Sequence, residues 1–151
     1  MAKELTAQAL WMGEHIDMDY CKIDGVVYPV SIMNIVETFS ILYSDGTGRT
    51  IDTGARMTLS PLGTFYGHRV TFKRKSGYEE EYDRLFDYLS LPKFDGILIE
   101  MVHGQTTISY EAYVSSGERA VKRIDEKNGK VYWDALSVTF IPMEAQVKPY
   151  D

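Results

Sequence analysis

Three histidines (His15, His68 and His103), one cysteine (Cys21) and a spread of carboxylates are the side chains here that could do chemistry. A zinc site needs three or four ligands at suitable spacing, as in HExxH, where two histidines share one helix face. No histidine of this chain has a histidine four residues on. Each reads instead as a surface or sheet-edge residue, and no metal site is expected. Cys21 stands alone, which excludes an intrachain disulfide and a multi-cysteine metal centre. Beside Tyr20 and Ile23 it reads as a small buried apolar residue. Glu100 and Glu111 could face each other across adjacent strands, but acid–base work would require one of them to be raised in pKa inside a cleft. Charged residues on the outer face of a sheet are the commoner arrangement. The segment DGTGR at residues 45–49 lacks the Lys-Ser/Thr ending and following helix of a phosphate-binding loop. It also lacks the acidic positions of a calcium loop. No catalytic residue, cofactor or metal is expected.

Composition narrows the classes further. The 151 residues suit one domain, 1–151, and 44% hydrophobic with 25% charged residues is ordinary globular composition. No apolar run approaches the roughly 18 residues that span a bilayer. The first residues make a poor signal peptide, so synthesis in the cytoplasm is expected. The net charge of −6 argues against a protein whose work is to grip nucleic acid, because phosphate contacts demand clustered Lys and Arg. The one basic cluster, Lys73, Arg74 and Lys75, is answered by Glu79, Glu80 and Glu81. Of 19 aromatic residues, 11 are Tyr, a type enriched at interfaces and on half-exposed sheet faces.

The elements that would position these residues are mostly strands. One helix is expected, at about residues 77–90, where Tyr82, Leu85, Phe86 and Leu89 fall at i, i+3, i+4 and i+7 on one face. Ser76 followed by Glu79 predicts a capping box, and Pro92 stops the helix. Asp24-Gly25 predicts a tight type I′ turn, and Asn128-Gly129 a second hairpin. Residues 30–43 read as a long strand, apolar at both parities in places, as expected of a strand covered on both faces or shifted by a bulge. Residues 64–74 alternate, with Tyr66, His68, Val70 and Phe72 on one face. So do residues 106–114, through Ile108, Tyr110, Ala112 and Val114, and residues 132–141, through Leu136, Val138 and Phe140. Residues 118–124 read as a strand with Ala120 or Val121 inward, or as a single helical turn. A single amphipathic helix among strands must lay its stripe on a sheet, so the class is α+β, mainly β.

Three segments do not fit a self-contained core. Residues 1–20 form an N-terminal arm carrying Trp11, Ile16 and Met18, and residues 142–151 an irregular C-terminal tail. Residues 44–63, with four glycines and Pro61, form an extended loop or hairpin carrying Arg49, Ile51, Arg56, Met57 and Leu59. Loops longer than about 12–15 residues are uncommon unless functional. These eight residues are the candidate subunit-interface positions.

In element order the chain resembles small tail structural proteins of bacteriophages that infect Gram-positive hosts. The likeness runs from the IDG hairpin and long strand through DGTGR, FKRKSG and the EYDRLFDYLS helix to WDALSVTFIPMEA, about four-fifths of the chain. It implies the tail-tube fold: two packed antiparallel sheets approaching a barrel, with one flanking helix. It further implies a ring subunit, usually hexameric, of the tail tube, distal tail or baseplate around the DNA channel, contacting itself and adjacent tail proteins, and located in the virion. Residues 44–63 would reach the neighbouring ring, and the acidic charge would let DNA slide past without specific recognition. Two other readings stand beside it. One is a small-molecule-binding barrel with a cavity lined by Tyr and Phe; the other is an enzyme built on Glu100 and Glu111.

Overall fold

Alternation at the end of the chain produces the strand on which the fold turns. In this computed structural model, which describes residues 21–49 and 54–149, strand β9 (Lys130–Pro142) borders three others. It lies between β5 (Pro61–Lys73) and β8 (Gly117–Asp125), and its last two residues pair with the end of β7 (Thr106–Tyr113). From β7 the ladder continues to β6 (Ile97–His103) and the short β1 (Cys21–Ile23); from β5 it continues to β2 (Ser31–Tyr43). All pairings are antiparallel, and β1 and β2 end the path without meeting, so the barrel approached in the sequence reading does not close. Between β2 and β5 a small ribbon of β3 (Gly48–Arg49) and β4 (Met57–Thr58) extends the hairpin.

The inward parities are those expected. Val70 and Phe72 on β5, Leu136, Val138 and Phe140 on β9, and Tyr110 and Ala112 on β7 are buried in one core with Ile97, Ile99 and Met101 of β6. Cys21 and Ile23 join from β1, and burial pushes the Cys21 thiol up to about 12, away from reactivity. Helix α1 (Glu79–Ser90) adds Tyr82, Leu85 and Leu89, with Phe86 half-buried. Each such side chain stabilises the fold by roughly 1.5–3 kcal/mol relative to exposure. The Tyr82 hydroxyl donates to the Asp134 carbonyl of β9 at 2.5 Å, and the Tyr88 hydroxyl donates to Asp24 in the β1 turn. The helix thus spans from the β9 side to the β1 side.

Local signals held with three corrections. Asp24 and Gly25 both take positive φ, as a type I′ turn requires. The capping box does not form: the N-cap is Tyr78 with no side-chain bond, the helix begins at Glu79, and Gly77 at φ 87° turns the chain after Ser76. Glu79 instead reaches Arg74 at 3.5 Å. The β8–β9 hairpin forms, but Asn128 is not left-handed; Gly129 alone is, and the Asp125 carboxylate accepts from the Lys127 N–H at 3.1 Å. In β8, Ala120 is exposed and Arg119 faces inward, because register shifts on either side of Val121 change which residues point in. Its guanidinium lies 3.9 Å from the Phe86 ring centre and 4.1 Å from that of Trp133, and pairs with Asp83 at 2.8 Å.

Candidate functional site

The expectation for residues 30–43, a strand covered on both faces or shifted at a bulge, is met only in its second form. A bulge sits at Met33, between Ile32 and Asn34, and the distal half of β2 is covered on neither face. The cause is length. Strand β9 accompanies β5 only over His68–Phe72, whereas β2 stays paired with β5 out to Tyr43 and Pro61. The two strands therefore run past the core as an arm, and the parity that is inward at Val70 and His68 continues uncovered. Phe39, opposite Tyr66, is 68% exposed, and Ile41, opposite Thr64, is 42% exposed. Leu42 on the other face and Leu62 are exposed as well. At the tip, the Arg49 guanidinium donates to the Ala55 carbonyl at 3.0 Å, holding a turn in which Gly54 and Ala55 both take positive φ. Of the eight interface candidates, Arg49, Arg56, Met57 and Leu59 all lie on this tip and are exposed. Trp11, Ile16, Met18 and Ile51, with the rest of the 1–20 arm, lie outside the described residues.

The C-terminal tail is more ordered in its role than the sequence suggests. Beyond β9, the edge of β5 is taken over by Val147, which bridges to Thr64. Beside it the Gln146 side-chain amide accepts from the Tyr66 N–H and donates to the Tyr66 carbonyl, both at 2.9 Å, in place of a strand backbone. One edge of the arm is thereby satisfied. The other edge, along β2, has no partner strand among the described residues.

At the root of the arm lies a polar cluster that sequence reasoning missed. His68, expected at the surface, is fully buried. Its Nε2 lies 2.9 Å from the Val102 carbonyl and its Nδ1 2.7 Å from the Tyr110 hydroxyl. Because a carbonyl only accepts, Nε2 carries the proton and Tyr110 donates to Nδ1, a neutral imidazole. Burial holds its pKa below the usual histidine value; the Val102 bond and Glu37 oppose that shift, and His103 adds to it. The Glu37 carboxylate sits between the two rings, bonded to His103 Nδ1 and 3.5 Å from His68 Nε2. Tyr66 meets His103 edge-on with ring centres 4.8 Å apart. The available signal was parity, since His68 alternates with Val70 and Phe72; nothing local marks Glu37 or His103. Both His68 nitrogens are engaged. Among the described residues no group of three His, Cys, Asp or Glu is placed to hold a metal ion.

The other nominated chemistry is not brought together. Glu100 lies opposite Ser109 and Glu111 opposite Leu98, on the outer face of the β6–β7 ladder, and Glu100 pairs with Lys22 at 3.6 Å. The core is filled by large side chains, Phe72, Tyr82 and Phe140 among them. A groove of about 240 Å³ opens on the helix flank, lined by Phe86, Leu89, Val114, Leu136 and Val138 among others. Among the described residues no helix is long and apolar enough to cross a membrane. A scan against protein-family models and a search of curated proteins both find no match for the chain.

Proposed function

We propose that this chain is a non-enzymatic assembly subunit, a ring component of a bacteriophage tail with the tail-tube fold. The ring, hexameric in this reading, surrounds the DNA channel and makes the chain part of the virion at the tail tube, distal tail or baseplate. One observation carries the proposal: the β2–β5 arm leaves the core with apolar side chains exposed on both faces and, among the described residues, an unpaired strand along its edge. An unpaired edge is a template for pairing with another chain, and natural edges are usually blunted by charge, proline or brevity. Strand β2 is 13 residues long, has no proline and carries a single charge, Glu37. Its register with β5 is irregular at two places, at Met33 and between Leu42 and Tyr43, and the stretch from Asn34 to Leu42 between them is regularly paired. A closed ring gives such an edge a partner in every copy. The exposed tip with Arg49, Arg56, Met57 and Leu59 is the part that reaches an adjacent ring.

Light scattering of the purified chain, with negative-stain images over a range of concentrations, tests this. Rings near six times 17.2 kDa, or stacked tubes, are expected. A strict monomer at all concentrations, also in the presence of the other tail components, would overturn it.

A further inference from the structure

The assembly reading leaves open what pairs with β2, and the phase of the first described strand points to a segment of the chain itself. In β1, Cys21 and Ile23 are buried and Lys22 is not, so the odd positions face the core. Residues 16–20 alternate as well, but their apolar side chains, Ile16, Met18 and Tyr20, fall on even positions. Continued in step with β1 they would turn away from the core, and Asp17 and Asp19 would turn into it, since a shift of one residue exchanges the two faces of a strand. The apolar side of this segment therefore suits a surface other than the one β1 covers. A strand that passes from one sheet to another changes phase in this way, through a bulge or bend.

The place where β1 begins indicates that surface. Cys21 lies opposite Met101 and Ile23 opposite Ile99, so β1 starts towards the His103 end of β6. His103 bonds Glu37 of β2 across the core, as Tyr110 of β7 bonds His68 of β5. Strand β6 therefore faces β2, and β1, one strand beyond β6, stands over the position one strand beyond β2. Among the described residues that position is the open edge. Its inner face past Glu37 presents Phe39, Ile41 and Tyr43, exposed and uncharged, while Thr38, Ser40 and Leu42 alternate on the other face. Ile16, Met18 and Tyr20 match the first set in spacing and in character. We infer that residues 16–20 of one copy add as a strand to the β2 edge of a second copy over residues 38–43, laying Ile16, Met18 and Tyr20 beside Phe39 and Ile41. This rests on the assembly reading and names the segment that fills its open edge. A segment folded back on its own β2 would leave no edge for a neighbour. Because Tyr20 is joined to Cys21, the receiving β2 lies against the donor's β1, and the two ends of the sheet path meet across the interface. Backbone hydrogen bonds along the edge and apolar cross-strand pairs on one face supply the attraction.

Two measurements on the full chain test the inference. Ile16→Lys with Met18→Lys should raise the concentration for half-assembly roughly thirtyfold or more, as expected of hot-spot positions. Circular dichroism of the variant confirms that it is folded. In the second measurement, chains carrying Met18→Cys are mixed with chains carrying Ile41→Cys, assembled, and treated with a short bis-maleimide. Conjugates that join one chain of each kind are expected, and only above the assembly concentration. Cys21 is buried, so the wild type treated alike is the unlinked control. Rings that the Lys variant forms as well as the wild type would overturn the inference and leave the assembly reading standing. So would rings that give no mixed conjugate, or rings in which Ile41→Cys chains join only one another, two β2 edges having paired. A chain carrying both cysteines that links to itself below the assembly concentration would place the segment on its own β2. That result would overturn the inference together with the open edge on which the assembly reading stands. A wild type that never assembles removes both.

Discussion

Among the described residues, strands β2 and β8 are both edges of the same sheet, each with two register irregularities, and they differ sharply in charge. Strand β8 places five charged residues among nine and turns Arg119 inward onto Phe86 and Trp133. Those are devices that keep a foreign strand from adding to an edge. Strand β2 has one charge in thirteen residues and exposes Phe39, Ile41, Leu42 and Tyr43 where the core no longer reaches. The contrast teaches that exposure here is not uniform tolerance: one edge is protected from strand addition and the other is left open to it.

The sharpest way to break that comparison is to charge each edge in turn. Replacing Phe39 and Ile41 by Lys should abolish assembly, raising the half-assembly concentration by about a hundredfold or more, as expected for loss of an apolar hot spot of roughly 2–4 kcal/mol. The fold should persist, because neither side chain is in the core. Replacing Val121 and Ile124 of β8 by Lys should leave assembly within about threefold, as expected of positions outside such a hot spot. Equal losses from both edges, read by light scattering, would erase the distinction.

A second, smaller effect concerns the edge that the chain closes for itself. Gly63 takes φ 151°, and a Cβ there would stand 2.6 Å from Ala145 Cβ and 2.8 Å from the Val147 carbonyl. Gly63→Ala should undock the tail and cost about 1–3 kcal/mol in urea unfolding. Gln146→Ala strands the Tyr66 N–H and carbonyl and should cost about 1–3 kcal/mol. Each variant converts a satisfied edge of the arm into a second open one, so each should also broaden the size distribution of particles.

The smallest expected effect is pH dependence at the root of the arm. Because His68 is held below the unfolded histidine value of about 6.5, both states are neutral above that pH and its full contribution is present. Below it the unfolded chain takes the proton first, so stability falls as pH drops through the interval down to the folded value, by at most about 1.4 kcal/mol per pH unit. Denaturant melts of wild type and His68→Gln between pH 7 and 5 should diverge in that direction. Parallel profiles would place the pH sensitivity elsewhere.

Much of the scaffold was legible because it is local. The stripe of Tyr82, Leu85 and Leu89, the alternation of Leu136, Val138 and Phe140, and the Asp24-Gly25 turn each follow from spacing or dihedral preference within a few residues. The arm was legible only as a long segment that had to do something. Its apolar residues read like core, since apolarity alone does not tell a side chain buried in its own chain from one exposed for another. The His68–Glu37–His103 cluster escaped because its members come from β2, β5 and β6, and only the register brings them together. Ala120 was misplaced for a similar reason: register shifts on either side of Val121 decide which residue faces in, and no composition rule locates them.

Hydrogen exchange on assembled particles and on the dissociated chain tests the central claim most directly. If β2 is the edge a neighbour pairs with, the backbone amides over residues 38–43 that exchange rapidly in the free chain become protected on assembly, while those of β8 that face away from β9 change little. Unchanged exchange in residues 38–43 of intact particles would contradict the account.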